Sequence, residues 1–454
     1  MKTVQYDFQE RIPVVASTDF LVVGGGPGGF GAAVAAARQG VKTLLVEASG
    51  TLGGAAALFE IQPFMPSHKV WRDAQNNFLK AAPLDGPLYP EWIERMWSYL
   101  PSDVRNAACK RDLADLPSRI ISKDLAALAM EDICVDNGVN LLFHHTLIDV
   151  KKDKNRVKYA VFHSKSGFCA IRAKVFCDST GDGDLAALAG CEFEFGDAEH
   201  GLCQPMTLCF KLSHVDKTRI PGNFRTTLFE QAKAAGKLHC PRHNVLYMSY
   251  YDDDVIHFNT TRVLGKSAIN GVELSEAECE GRRQMRELIA WLRTDVPGFE
   301  QCRIHSMGAR IGIRESRRIL GLAYLTRDDF VNAAKFPDAI ARSSYQIDIH
   351  STTGSGTEIV KLKPGQFYEI PYGCIVPRKM KNLLIAARCI SADQALHSSS
   401  RIMPTVVSIG QAAGIAAALS LEQKCDIQKM NGCDVRKRLI KFGAPLGKHD
   451  FDEK

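Results

Sequence analysis

The sequence predicts an α/β protein: a discontinuous, Rossmann-like nucleotide-binding domain that carries an inserted α+β substrate domain. Three observations predict it. Residues 18–47 run strand, Gly-rich turn, Ala-rich helix, strand. That fingerprint occurs once with all of its parts in 454 residues. Two further strand exits, near 175–184 and 382–405, lie far down the chain, so one nucleotide site has to be gathered from distant segments.

Residues 20–23 form a short apolar run of strand type, and 31–38 are helix-favouring. Gly40 stands just past the last turn, where glycine commonly ends a helix. Residues 42–46 read as a second buried strand. Gly24 permits the tight turn out of the first strand. Gly26 lets the backbone approach a pyrophosphate, with Gly28 beside it, and Gly29 lets the helix pack closely on the strand. The helix N-terminus offers unpaired N–H groups and a positive dipole end to phosphates. Glu47 follows the second strand, at the spacing where an acid accepts hydrogen bonds from ribose hydroxyls. An acid there favours a free 2′-hydroxyl, hence FAD or NAD rather than NADP.

Composition removes several classes. Hydrophobic residues make up 45% and charged residues 24%, a globular balance that excludes a disordered or fibrous chain. No uninterrupted apolar run reaches the roughly 18 residues of a spanning helix, so no membrane span is expected. Lys plus Arg exceed Asp plus Glu by 57 to 51, too small and too dispersed an excess for a nucleic-acid partner. The 14 cysteines are scattered, with no CxxC pair and no metal-type spacing. They read as small buried residues in a reducing compartment, and a cytoplasmic location is expected. No metal site is expected. A second GxGxxG within strand and helix is missing, which argues against a resident nicotinamide domain.

The choice between FAD and NAD rests on the later segments. Glu47 is followed by Gly53-Gly54. Asp-Ser-Thr-Gly-Asp-Gly-Asp occupies 178–184, and Arg-Ile-Gly-Ile-Arg-Glu-Ser-Arg-Arg-Ile-Leu-Gly occupies 310–321. Ile-Asp-Ile-His stands at 347–350, Arg-Cys-Ile-Ser-Ala-Asp at 388–393, Ser-Arg-Ile-Met-Pro-Thr at 400–405 and Gly-Gln-Ala-Ala-Gly at 410–414. As a set these motifs resemble the glutathione-reductase-like flavoproteins, and more narrowly the FAD-dependent oxidoreductase family with one FAD domain and no NAD domain. The resemblance runs from about residue 10 to 422 and implies FAD as cofactor. It implies pyrophosphate contacts at the first turn, with Gly53, Gly54, Asp182, Gly183, Arg401 and Thr405 completing the FAD site. It also implies that the helix beginning near Thr405 points its N-terminus at the flavin, where a dipole stabilises an anion by roughly 0.3–1 kcal/mol. The Trp-x-Trp-x-Ile-Pro motif of flavin halogenases is missing.

Organisation along the chain follows from this. Residues 1–55 open the FAD-binding domain, and 56–115, rich in proline, read as an irregular cap. Residues 116–204 continue the FAD-binding domain, with a helix over 119–137. Strands at 140–150, 159–163 and 169–176 suit the three-stranded meander that covers the domain in this family. Residues 205–375 read as the substrate domain, with strands at 246–250 and 255–260 and a helix at 276–293. Residues 351–366 read as loop. Residues 376–454 return to the FAD-binding domain.

Flavin dehydrogenation needs a base to take a hydroxyl or amine proton while hydride leaves for flavin N5. His350, two residues from Asp348, and His397, between the last strand and helix, are the candidate bases. Arg401 is a third candidate catalytic residue beside the flavin. Arg314, Arg317 and Arg318 surround Glu315, either as an anion clamp or as an ion-pair network between domains. Asn259 and Arg262 are weaker substrate-side candidates. The expected function is an FAD-dependent oxidoreductase, a dehydrogenase or oxidase of a small alcohol- or sugar-like substrate, with an unnamed electron acceptor or donor. The alternatives are a C=C or C=O reductase with an external donor and a flavin-bound protein without turnover.

Overall fold

Strand β1 (Val14–Val23) is fully enclosed from Phe20 onward. A parallel strand covered on both faces reads as an unbroken apolar run, and 20–23 is one. The chain turns at Gly24, at φ +106°, into helix α1 (Pro27–Arg38). Pro27 suits the first helical position, where its missing N–H costs nothing. Strand β2 (Thr43–Val46) returns parallel to β1, with Phe20 opposite Thr43 and Val23 opposite Val46. The computed structural model describes residues 11–62, 64–65, 68–72, 78–105 and 122–447. The helix expected over 119–137 is described as Lys123–Asp136, and 106–121, where the expected cap ends, lies outside the described residues.

The main sheet runs Asn140–Leu142, β2, β1, Gly167–Asp178, Arg156–Ser164, Thr146–Asp153. The first four strands are parallel and the last two antiparallel. Leu383–Ile385 also pairs parallel with Gly167–Asp178, opposite Phe176 to Asp178. The 12 residues of Gly167–Asp178 let it serve both halves. The expected meander is therefore no separate cover, because its last strand lies at the centre of the parallel sheet. Its first strand breaks in two: 140–142 lies beside β2, and 146–153 forms the hairpin edge.

Helix α1 crosses the long helix Met403–Gln423 through glycines. A Cβ at Gly410 would meet the Gly28 carbonyl oxygen at 2.1 Å, and one at Gly414 would meet Ala32 O at 2.3 Å. Only bare backbone allows this approach, and it sets the first turn of the long helix beside Gly28. By length and composition this helix could cross a membrane, but 94% of its most apolar window is buried inside the fold. Gln411, in its middle, is held by Leu88 N–H (2.9 Å) and by the Gly86 carbonyl (2.8 Å). Those two bonds tie the cap to the core.

The cap is more regular than its prolines suggest. It holds a hairpin, His68–Arg72 with Phe78–Pro83, and the helix Leu88–Ser98. Trp92 on that helix stacks on Phe64 at 5.0 Å and donates to the Ala126 carbonyl at 3.0 Å. Pro83 closes a strand, Pro87 precedes the helix and Pro90 stands in its first turn.

A second core draws on residues between Met206 and Ile313. Its antiparallel sheet runs Tyr247–Ser249, Ile256–Phe258, Phe210–Ser213, Arg303–Met307. The helix Gly271–Asp295 packs its buried face, including Met285, Leu288 and Leu292, into this core. Its first turn is capped by Asn270, whose side chain accepts from the N–H groups of Val272 and Glu273. The expected region 205–375 is larger than this core: Ile319, Leu325, Ile340, Tyr368 and Ile375 belong to the first.

Candidate active site: a cavity between the two cores

A cavity of about 720 Å³ lies between the cores. Gly24, Gly26, Gly28, Glu47 and Gly54 form one part of its wall. A Cβ at Gly24 would meet Ser179 O at 2.3 Å, and one at Gly28 would meet Ala386 O at 1.8 Å. Gly26 differs, since the nearest atom to a Cβ there is 3.8 Å away, so its backbone has open space beside it. Glu47 Oε2 accepts from Gly25 N–H (2.7 Å) and Oε1 from Ser49 N–H (2.8 Å). Both carboxylate oxygens are thereby fixed in direction while each keeps a lone pair.

Asp182 and Arg388 also line the cavity and form an ion pair. The side chain that caps the next helix is Asp178, at the end of the preceding strand. Asp178 Oδ2 accepts from Ala186 N–H (2.8 Å), and Oδ1 accepts from the Thr180 N–H (3.0 Å) and hydroxyl (2.8 Å). Burial pushes the Asp178 carboxyl up to about 6.

A second part of the wall is built from charged side chains. His350 ends the strand Ile347–His350, which pairs with Thr357–Val360 where the sequence suggested a loop. Across that pair His350 Nδ1 lies 3.1 Å from Thr357 Oγ1, and Nε2 lies 3.7 Å from Asp348 Oδ1. Burial, then Arg314, Arg401, Arg242 and Arg262, hold the ring well below its ordinary pKa. The ring is neutral at pH 7. In the tautomer that gives Nδ1–H to Thr357, Nε2 is an acceptor.

Arg314 and Arg401 share this wall with Tyr345, Asp348 and Asn259. Arg314 donates to Pro205 O (2.6 Å), to the Thr207 hydroxyl and to Asn259 Oδ1 (3.2 Å). Arg401 donates to Arg314 O (3.0 Å), Asp348 O (3.2 Å) and Gln204 Oε1 (3.3 Å). Every one of these acceptors is neutral. The 314–318 cluster therefore divides. Arg318 pairs with Glu315 (2.6 Å) and Arg317 with Asp184 (2.8 Å), whereas Arg314 has no carboxylate partner among the described residues. Arg262 is turned away from the cavity and donates to the carbonyls of Ser351, Ser355 and Gly356, fixing the loop of the His350 hairpin.

Of the residues singled out in the sequence, Gly24, Gly26, Gly28, Glu47, Gly54, Asp182, Arg401 and His350 reach the cavity wall. Gly29, Gly53, Gly183 and Thr405 do not line it. Gly29 is a packing position, where a Cβ would meet Gly24 O at 1.9 Å, and Gly183 packs on Ile319. His397 is not brought to the wall either. It is 0% exposed on the helix Gln394–Ser400, neither ring nitrogen has a hydrogen bond among the described residues, and burial holds it neutral. Cys389 is enclosed away from the cavity, its thiol pushed up by burial. Sequence reasoning missed Gln62, which lines the cavity with both amide atoms buried and without a hydrogen-bond partner among the described residues. The signal was a lone amide between Ile61 and Pro63. It also missed Arg242, which no motif marks.

The model of the family described as FAD dependent oxidoreductase matches residues 19–439. The chain belongs to this family. It is an FAD-dependent enzyme with a Rossmann-like α/β core. Among curated proteins, dihydrolipoyl dehydrogenase of Trypanosoma brucei brucei is 39% identical over 74 residues, 16% of this chain and 15% of that protein. Glutathione reductase of Schizosaccharomyces pombe is 45% identical over 51 residues, 11% of each. The matches thus span a small fraction of those relatives' length. Among solved structures, the flavin-dependent brominase Bmp2 gives a TM-score of 0.49 at 13% identity, over 93% of this chain and 83% of that one. A geranylgeranyl bacteriochlorophyll reductase-like protein from Thermoplasma acidophilum gives 0.46 at 12%, over 94% and 84%. No reaction is carried over from either.

The residues of the FAD-dependent family member fit the cofactor. The bare backbone at Gly26, the fixed carboxylate of Glu47 and the unpartnered amide of Gln62 supply, in turn, close approach, hydroxyl acceptors and an orphaned donor and acceptor. Gly24, Gly26, Gly28 and Gly54 would hold the phosphates and Glu47 the ribose.

Proposed function

We propose that this FAD-dependent oxidoreductase is a dehydrogenase or oxidase of a small alcohol- or sugar-like molecule, with His350 as the base. FAD, when bound, takes up the hydride and so supplies the redox chemistry. The protein supplies position and a proton acceptor. The observation that carries the reading is His350 itself: a neutral imidazole on the cavity wall, oriented through Nδ1 by Thr357, with Nε2 directed away from that bond. Asp348, 3.7 Å from Nε2, favours the protonated ring once it forms.

The test is anaerobic mixing of the purified yellow protein with alcohols and sugars, following the flavin's visible absorbance. Bleaching by a member of the panel supports the reading. His350→Ala is expected to slow that bleaching by about 10²–10⁴-fold with FAD content unchanged. Flavin that stays oxidised with every alcohol, yet is reduced by NAD(P)H and reoxidised by an enone, would assign a reductase instead.

A further inference from the structure

The charge around His350 does not balance. Four arginines, Arg242, Arg262, Arg314 and Arg401, act on it, and one carboxylate, Asp348, lies beside it. Glu315, the next acid, is already engaged by Arg318 at 2.6 Å. Burying a cation without a counter-charge is costly, and proteins pair such groups or bind an ion there. Arg242 is the extreme case. It is 7% exposed, and its side chain has no hydrogen-bond or ion-pair partner among the described residues, with Nε enclosed. Arg314 and Arg401 reach the cavity and spend three hydrogen bonds each on neutral oxygens, out of five N–H donors. Both keep donors for a further acceptor.

We propose that the substrate is anionic, a small hydroxy acid whose carboxylate binds at Arg314 and Arg401 and balances the buried charge of Arg242. The proposal rests on the dehydrogenase reading and names its substrate class. An anion in this place also repairs the weakness of His350 as a base. Proton uptake by the ring would add a positive charge to four arginines. With a carboxylate bound, part of that positive charge is countered and the imidazolium becomes more accessible. The step then balances. His350 Nε2 would take the carbinol O–H proton, FAD when bound would supply the acceptor for the carbinol hydride, and the C–O bond would become C=O.

The experiment uses the holoenzyme and oxalate, which has no C–H bond to lose and so reports binding alone. Inorganic phosphate and ethylene glycol are the comparison probes. Readouts are the perturbation of the flavin's visible spectrum and the thermal midpoint. Saturable oxalate binding is expected, weakened by about tenfold or more in Arg314→Met, as for loss of one charge-assisted contact. Arg314→Lys keeps the charge without the planar fork and is expected to fall between. Arg242→Met is expected to weaken oxalate as well, and it carries the test with Arg314→Lys if Arg314→Met loses FAD. Saturation by phosphate in place of oxalate would keep the anion site and assign a phosphate ester. No saturable binding of either anion to the wild-type holoenzyme, or equal affinity in all three variants, would overturn the proposal. The two readings fail differently. Oxalate binding with no flavin reduction by any hydroxy acid removes the dehydrogenase and leaves the anion site. Reduction by neutral alcohols alone removes the anion site and leaves the dehydrogenase.

Discussion

The two parts of the cavity wall are built on opposite principles. Around Gly24, Gly26 and Gly28 the protein presents main chain, and a would-be Cβ is excluded at Gly24 and Gly28 by contacts of 2.3 and 1.8 Å. Around His350 it presents side chains drawn from four distant segments, at 259, 314, 345–350 and 401, with buried charge in excess. The first part fits any ligand with phosphates and a ribose. The second can fit only a ligand of particular charge and shape. A family can thus keep its cofactor on the first and change its chemistry on the second.

The comparison breaks most sharply at Gly28. Gly28→Val is expected to destroy the site, because the new side chain would overlap the Ala386 carbonyl and the Val406 side chain. FAD per protein chain should fall to background, and the thermal midpoint should drop with it. A variant that still loads FAD stoichiometrically would sink the account of this wall.

Within the arginine cluster, Arg318 sharpens the contrast. It is 5% exposed and pairs with Glu315 in the interior. Arg318→Met leaves that carboxylate buried without its cation, held only by the N–H groups of Gln204 (3.0 Å) and Gln394 (2.9 Å), at a cost of about 3–5 kcal/mol in stability, measured by urea unfolding. Arg314→Met, four positions away, should cost far less stability while weakening ligand. If the two variants behaved alike, the division of the cluster would be wrong.

Asp178 gives a pH signature. Burial raises its folded pKa from 3.8 to about 6. Between those values the native state holds a proton that the unfolded chain has released. Stability is therefore highest below the unfolded pKa and declines as pH rises to about 6, by about 3 kcal/mol at 1.36 kcal/mol per unit. Asp178→Asn should flatten that limb in unfolding measured from pH 4 to 7. An unchanged slope would remove Asp178 as its source.

The smallest effect is expected at Glu47. Glu47→Gln keeps the shape, but its single amide oxygen can accept from only one of Gly25 and Ser49, without the charge, and its NH2 is set against the other N–H. FAD binding to apoprotein should weaken by about tenfold, near 1.4 kcal/mol, read by flavin fluorescence.

This contrast also decides how much the sequence disclosed. A phosphate cradle needs glycines at fixed short spacings after a strand, so Gly24 to Glu47 declare themselves within thirty residues. The substrate side needs only that Arg242, Arg314, Asp348, His350 and Arg401 meet, and no local rule records a meeting across 160 residues. His350 was found through its neighbour Asp348. His397 looked equally good because chain position near the flavin segment does not say which face of a helix a residue takes. Arg314 could not be told from Arg317 and Arg318, since which arginine meets an acid depends on the pairing of 317–319 with strand 193–195 and on the approach of Asp184. The meander was half visible: three strands were there, but their length alone hid that Gly167–Asp178 belongs to two sheets' worth of partners.

That long strand has a consequence for biosynthesis. Its neighbours are β1, near the start of the chain, and Leu383–Ile385, near the end. Ala386, against which Gly28 rests, follows directly. A ribosome adds roughly 5–20 residues per second, so the glycine turn waits tens of seconds for the floor it will sit on. Cofactor loading is accordingly an event of the finished chain, and the nascent first half must be kept from aggregating with its pocket open.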